Sequence, residues 1–319
     1  MRLDVFVSMR LAPEYSRSQV ARMIKAGLVT VNGTAARASS GVRTGDRIDV
    51  AAIPAGELDP SSYKEGDAPE ISVIFDDDEM IVVNKPAGMT VHPAPGHPNG
   101  TLVDALLARF PELAAMAEPD GVLRPGIVHR LDKDTSGVMA VARTPFSRTA
   151  LSCQFKDRTV KKTYLAIVKG KVARDRLTIE RPVGRHPVER KRMSVRSNAP
   201  RDAVSHITVL ARFDPADADD AGTSLVRVKP DTGRMHQIRV HLASIGHPCL
   251  GDPLYGGKTA SGGFFHRQAL HALALSLTHP RSGERLEFVA PLPIDFVEFL
   301  TTKLFSSDAG ELRRWIEVN

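Results

Sequence analysis

"GIVHRLDKDTSGVMAV", residues 126–141, sets His129, Arg130, Asp132, Lys133 and Asp134 between two apolar runs. Charge packed between segments that read as buried is either a surface turn or an active-site loop slung between two strands. In the second case Thr135, Ser136 and Gly137 shape the tight turn that aims Asp132. The cations on either side, Arg130 and Lys133, favour the ionised carboxylate. That form suits a nucleophile or an electrostatic partner better than a general acid. Asp134 would complete a glycosidase-like carboxylate pair. Against this, the chain is basic and has a single tryptophan, Trp315, so no sugar-stacking cluster is available.

Working outward, 319 residues allow about two domains. The composition, 42% hydrophobic and 25% charged, is that of a soluble globular chain. No stretch reaches the roughly 18 apolar residues of a membrane helix. Charges break the first sixteen residues, so they do not read as a signal peptide. Cys153 and Cys249 form no CxxC motif and read as reduced thiols, which predicts a cytoplasmic protein with no structural zinc. His236 and His241 are tempting metal ligands, but on a helix five residues place them about 140° apart. No metal and no cofactor are predicted.

The net charge of +6 is unevenly spread. Residues 124–196 hold 19 Lys and Arg against 6 Asp and Glu, a balance of +13, whereas residues 57–79 hold nine acids and only Lys64. A basic block of this kind suits a polyanion. Arg181, Arg185, His186, Arg190, Lys191 and Arg192 form its densest part and read as a nucleic-acid-facing loop.

The first fifty residues have their own pattern. Ser16 is a candidate N-cap, and Val20, Met23, Ile24 and Ala26 follow at near-helical spacing up to Gly27. "LVTVNG" (28–33) reads as a strand entering an Asn-Gly turn, and 42–50 as a turn and a short strand. Arg17, Arg22 and Lys25 lie off the apolar stripe. This set resembles the S4 RNA-binding module. Residues 54–70 have linker composition. The predicted division is therefore an S4-like domain over 1–53, a linker over 54–70 and a catalytic domain over 71–319.

From Ile71 the predicted class is α+β: a mixed, largely antiparallel sheet with flanking helices, because strands often follow one another directly. Residues 71–86 read as two strands joined by a solvated acidic turn at Asp76–Glu79. Residues 100–110 read as a helix with Leu102, Leu106 and Phe110 on one face, and 163–172 and 224–230 as strands. "TGRMHQIRVHLASIGHP" (232–248) reads as a loop entering a helix whose face carries Ile238, Leu242 and Ile245. The acidic segment 214–222 reads as a hairpin loop.

"HRLDKDTSG" (129–137) is similar to the signature of the RluA-type pseudouridine synthases. "NKPAGMTVHP" (84–93), "KKTYLAIVKG" (161–170), "TGRMHQIRVHLASIGHPCLGDPLYGG" (232–257) and "RQALHALALSLTHPRSGE" (267–284) fall in that family's order. The resemblance implies conversion of uridine to pseudouridine: the N1–C1′ bond breaks, the base turns, and C5 joins C1′. By the same resemblance Asp132 is the catalytic aspartate, attacking sugar or base, and Tyr164 is the active-site tyrosine. Arg239 would pair with the aspartate, and Arg130 would enter the RNA stack in place of the extruded uridine. Arg234, Gln237 and Lys85 are predicted to contact RNA, together with Arg17, Arg22 and Lys25 of the S4-like module. His129 is predicted to hydrogen-bond locally. The partner implied is large-subunit ribosomal RNA, at a hairpin loop, with no membrane and a monomeric enzyme. The competing readings are the same reaction on transfer RNA or at other ribosomal sites, and a non-catalytic ribosome-associated RNA-binding protein. A pure binder would need none of Asp132, Tyr164 and Arg239.

Overall fold

In the computed structural model, residues 1–11, 17–51, 69–93, 99–116, 124–189, 191–215, 221–256 and 264–305 are described. The Ser16 cap, most of the 54–70 linker, Arg190, residues 216–220, Trp315 and the Arg22 side chain lie outside them.

The N-terminal unit runs α1 (Leu3–Arg10), α2 (Arg17–Lys25), β1 (Val29–Val31), β2 (Thr34–Ala35) and β3 (Ile48–Val50). Val20, Met23 and Ile24 of α2 pack with Leu3, Val7 and Val29 in one small core. Asn32 and Gly33 take φ of 52° and 76° between β1 and β2, the pair of positive values a type I′ hairpin turn requires. The helix α1 is an addition to the sequence reading, which saw only charges interrupting apolar residues. Its Asp4 is buried against Leu3 and Val7 and is held by Arg2 and Arg17, so one of those charges belongs to the interior.

The remaining chain contributes β4 (Ser72–Asp76), β5 (Met80–Lys85), α3 (Leu102–Arg109), β6 (Ser136–Ala142), α4 (Pro145–Lys156), β7 (Lys161–Lys169), β8 (Arg176–Glu180), β9 (Gly184–Arg185), β10 (Met193–Ser194), β11 (Val204–Phe213), β12 (Thr223–Pro230), α5 (Gln237–Ser244), β13 (Leu270–Thr278), β14 (Arg285–Val289) and α6 (Ile294–Phe305). Nine strands form one sheet in the order β4-β5-β6-β13-β7-β12-β11-β8, with β14 also paired to β13. Every pair is antiparallel except β6 with β13.

Successive residues of β7 and β12 face opposite sides of the sheet. Leu165, Ile167 and Leu225 pack with Phe296, Phe299 and Leu300 of α6. Ala166, Val168, Val226 and Val228 pack with Ile238 and Leu242 of α5. Both faces are covered, which is why Leu165–Val168 is an unbroken apolar run, whereas Arg227 and Lys229 interrupt β12. A third core gathers β5, β6 and α3, including Leu102, Leu106 and Phe110. Thr101 caps α3, accepting from the Asp104 amide while the Asp104 carboxylate accepts from the Thr101 amide.

The acidic turn at 76–79 is solvated as predicted at Asp76 and Asp78, which are exposed, but not at Asp77 and Glu79. Glu79 is buried, accepts from the Thr144 hydroxyl at 2.9 Å and pairs with Arg281. Asp77 accepts from the Glu79 and Met80 amides, which closes the turn, and its other oxygen meets His279. These acids tie the β4–β5 hairpin to the β13–β14 connection.

At the centre of the sheet Ala272 pairs with Gly137 on one side and Tyr164 on the other. Gly137 has φ +120°, and a Cβ there would lie 2.7 Å from the backbone N and C of Ala272. Only glycine allows β6 to approach β13 this closely.

Candidate active site

Residues 127–135 run across the end of the sheet into the fully buried β6. At its start, among the described residues, this segment makes an isolated bridge, Ile127 with Val141, rather than the strand the sequence suggested. Side chains from distant segments fasten the loop. The Lys85 ammonium donates to the carbonyls of Pro86, Met89 and Lys133 at 2.6, 2.9 and 2.9 Å. Arg267 donates to the Asp134 carbonyl, and Gln268 donates to the Thr135 hydroxyl. The Ala140 amide donates to His129 Nε2 at 3.0 Å, and the His129 ring stacks on Phe155. Burial lowers the His129 pKa to about 3, so the ring is a neutral acceptor within the scaffold.

This anchoring corrects the expectation that Lys85 contacts RNA. Its side chain is fully buried, and its three N–H bonds are matched by three backbone carbonyls. Burial pulls its pKa down to about 7. Gln237 is likewise buried, accepting from Thr232 and the Arg234 amide and donating to the Val204 carbonyl. It braces the 232–237 turn from inside, at the edge of the cavity that holds Asp132. Arg234 is half-buried and donates to the Asp202 carbonyl at 3.1 Å. In the N-terminal unit Arg17 is committed to Asp4, and Lys25 is exposed.

The three central residues come together. Arg239, from α5, donates through Nη1 to Asp132 Oδ2 at 3.0 Å. Its Nε and Nη2 hold both oxygens of Asp252, at 2.7 and 2.9 Å. Asp252 is buried and also accepts from the Leu254 and Tyr255 amides. Burial by itself would lower the Arg239 pKa; the Asp252 and Asp132 carboxylates reverse that and drive it upward. Arg239 is thus a fixed cation, anchored behind by one carboxylate and presenting an N–H in front to another. Asp132 keeps 19% of its side chain exposed, against 4% for Arg239, so the carboxylate is presented and the arginine is hidden.

Two cavities meet at Asp132. One, of about 150 Å³, is lined by Asp132, Tyr164, Thr232, His236, Arg239 and Leu270, among others. The other, of about 310 Å³, is lined by His92, Asp132, Lys133, Asp134, His236 and Gln268, among others. Arg130 is exposed and lines both. Burial, with the Asp132 charge second, pushes the Tyr164 phenol upward, so it stays protonated. The floor therefore offers a pre-positioned carboxylate, a neutral phenol with its ring as a wall, and an exposed cation at the rim.

A family model described as RNA pseudouridylate synthase matches residues 79–244, and an S4 domain model matches residues 1–48. The chain belongs to the RNA pseudouridylate synthase family. It is 42% identical over 311 residues to the ribosomal large subunit pseudouridine synthase D of Pseudomonas aeruginosa, covering 94% of this chain and 91% of that protein. An RNA pseudouridine synthase of Bacillus subtilis, YlyB, is 41% identical over 299 residues, with 94% and 93% covered. Among solved structures, human RNA pseudouridylate synthase domain containing 1 superposes with a TM-score of 0.57 at 29% identity, over 72% of this chain and 86% of that one.

The pseudouridine synthase reaction isomerises uridine in RNA, and the matched S4 domain makes RNA the partner. Among the described residues no helix is long and apolar enough to cross a membrane. Sequence reasoning missed Asp252, which orients Arg239, and Tyr255, whose ring lies under the guanidinium at 5.1 Å. The signal was present in "PCLGDPLYGG" (248–257), where a single acid stands in an otherwise uncharged stretch. From sequence, His236 and His241 read only as candidate metal ligands. His241 is buried, meeting Ser205 and the Arg181 carbonyl, while His236 faces Asp132.

Proposed function

We propose that this synthase uses Asp132 as its catalytic carboxylate on a uridine in a loop of large-subunit ribosomal RNA. The observation that carries the reading is the Arg239–Asp132 contact at 3.0 Å, on the floor of a cavity walled by Tyr164. Isomerisation breaks N1–C1′, forms C5–C1′ and releases the C5 hydrogen, so a nucleophile and a proton acceptor are needed but no redox partner. A carboxylate that is oriented yet partly exposed is suited to covalent attack. Burial keeps the Tyr164 phenol protonated, so its ring packs against the base while the C5 hydrogen leaves to water and N1 takes up one proton, which balances the isomerisation. Arg130 fills the gap left by the extruded nucleotide, offsetting part of an unstacking cost of a few kcal/mol. Looped uridines are the easier ones to extrude.

The ribosomal assignment is supported by the printed name of the Pseudomonas aeruginosa relative and by the extent of identity with it. The division into an S4-like domain over 1–53, a linker over 54–70 and a catalytic domain over 71–319, acting as a monomer, fits one self-contained site. The test is tritium release from [5-³H]uridine-labelled large-subunit ribosomal RNA by the purified protein. Release with wild type and none with Asp132→Asn is expected. Release from labelled transfer RNA alone would move the substrate to that class.

A further inference from the structure

His236 occupies the left-handed region, φ 54° and ψ 17°, immediately before α5. Such a conformation is uncommon for a residue with a side chain and tends to be held where a site demands it. Two contacts define what the ring presents. Its Nδ1 lies 2.9 Å from the Tyr255 hydroxyl, and that hydroxyl oxygen accepts the Met193 amide at 2.8 Å. The Met193 N–H can only donate, so it leaves the Tyr255 proton available to His236 Nδ1. A neutral histidine has one donor and one acceptor nitrogen. With Nδ1 accepting, the hydrogen is on Nε2. That nitrogen is 4.0 Å from Asp132 Oδ2, and His236 lines both cavities that meet at the carboxylate.

We infer that Tyr255 fixes His236 as the Nε2–H tautomer so that this N–H donates to a carbonyl oxygen of the extruded uracil. The inference rests on Asp132 being the catalytic carboxylate. When N1–C1′ breaks, the electron pair stays with the base, and the negative charge spreads from N1 to the neighbouring carbonyl oxygens. A fixed donor aimed at one of them stabilises that charge as it develops, with no proton transferred. Burial lowers the His236 pKa, against the pull of Asp132, which keeps the ring neutral. Tyr255 keeps its proton because burial raises its pKa. Arg239 lies under the same tyrosine ring at 5.1 Å and Arg192 packs on it at 5.3 Å, so Tyr255 braces the donor and the aspartate's arginine together. His236 would thus be a catalytic residue and Tyr255 a positioning one.

The test is single-turnover tritium release from [5-³H]uridine-labelled large-subunit ribosomal RNA at saturating enzyme, with Kd by filter binding and the melting temperature of each variant. His236→Ala is expected to slow release by about 100-fold, the typical cost of one lost donor, with Kd within threefold. His236→Gln, which can return an N–H near Nε2, recovers part of that rate. Tyr255→Phe slows release less, and adding it to His236→Ala slows release no further, because both act through one donor. His236→Ala turning over within threefold of wild type would overturn the inference, as would a defect confined to Kd or additive effects of the two substitutions. If His236→Ala lowers the melting temperature, the Gln variant decides: no recovery of rate in a stably folded Gln variant also overturns it. Asp132→Asn runs alongside. Its retention of activity would sink the aspartate reading itself, whatever the histidine variants do.

Discussion

At the scale of single residues, the site is a chain of charges ordered by burial: Asp252 hidden, Arg239 nearly hidden, Asp132 partly open. Removing the middle link leaves a buried carboxylate without its partner. Arg239→Ala is expected to lose about 3–5 kcal/mol of stability as well as turnover. Urea denaturation reads this directly, and a loss below about 1 kcal/mol would contradict the pairing. A second residue-scale consequence concerns pH. Burial lowers the His129 pKa to about 3 and those of His92 and His271 to about 4, all below the 6.5 of an exposed ring. Between those values the unfolded chain binds protons that the folded chain does not. Stability is therefore full above pH 6.5 and falls as pH drops toward 4. Each such histidine contributes a slope of up to about 1.4 kcal/mol per pH unit. His129→Gln, which keeps an acceptor for the Ala140 amide, should flatten the slope by up to one proton in urea titrations between pH 4 and 6. An unchanged slope would mean that His129 titrates normally. What sequence could supply at this scale was the residue types and, through a resemblance, their roles. Asp132 and Arg239 lie 107 positions apart, and no local spacing joins them. Asp252 and Tyr255 went unassigned because their work is done on another residue's side chain.

At the scale of elements, the 127–135 loop owes its shape to anchors that come from elsewhere in the chain. Lys85 shows the difference this makes. From sequence it is a lysine in a basic protein; in the fold it is the clamp for three carbonyls. Lys85→Met should leave RNA affinity within about threefold and slow single turnover by about 100-fold, since a misplacement near 1 Å can cost that much. A large rise in Kd at unchanged rate would restore the RNA-contact reading. The elements that were legible are those whose local pattern is also their tertiary pattern. The Asn32-Gly33 turn, the capped α3 helix and the doubly buried β7 and β12 all belong to this class. The parallel pairing of β6 with β13 was not legible, because it joins residues about 135 positions apart through a glycine contact. Nor was α1, whose buried Asp4 reads locally as a surface charge.

At the scale of the whole molecule, a strongly basic segment, residues 124–196, carries both the 127–135 loop and the β9–β10 hairpin. The charge balance alone pointed to a polyanion, but the fold shows which cations are left to meet it. Arg130 stands open at the cavities, whereas Lys85, Arg239 and Arg267 are occupied inside. Binding to large-subunit ribosomal RNA should therefore weaken with salt, with a log–log slope of roughly −0.7 to −0.9 per phosphate contact. Filter binding across a salt series measures it, and a nearly flat response would contradict a polyanion-binding surface.

The most direct measurement is a pseudouridine map of large-subunit ribosomal RNA, by chemical adduct and primer extension, in cells lacking this gene. One strain is complemented with wild type and the other with Asp132→Asn. The account predicts that particular uridines carry the modification only with wild type. Identical maps, with both proteins present at equal levels, would contradict it: either this RNA is not the substrate or Asp132 does not carry the chemistry.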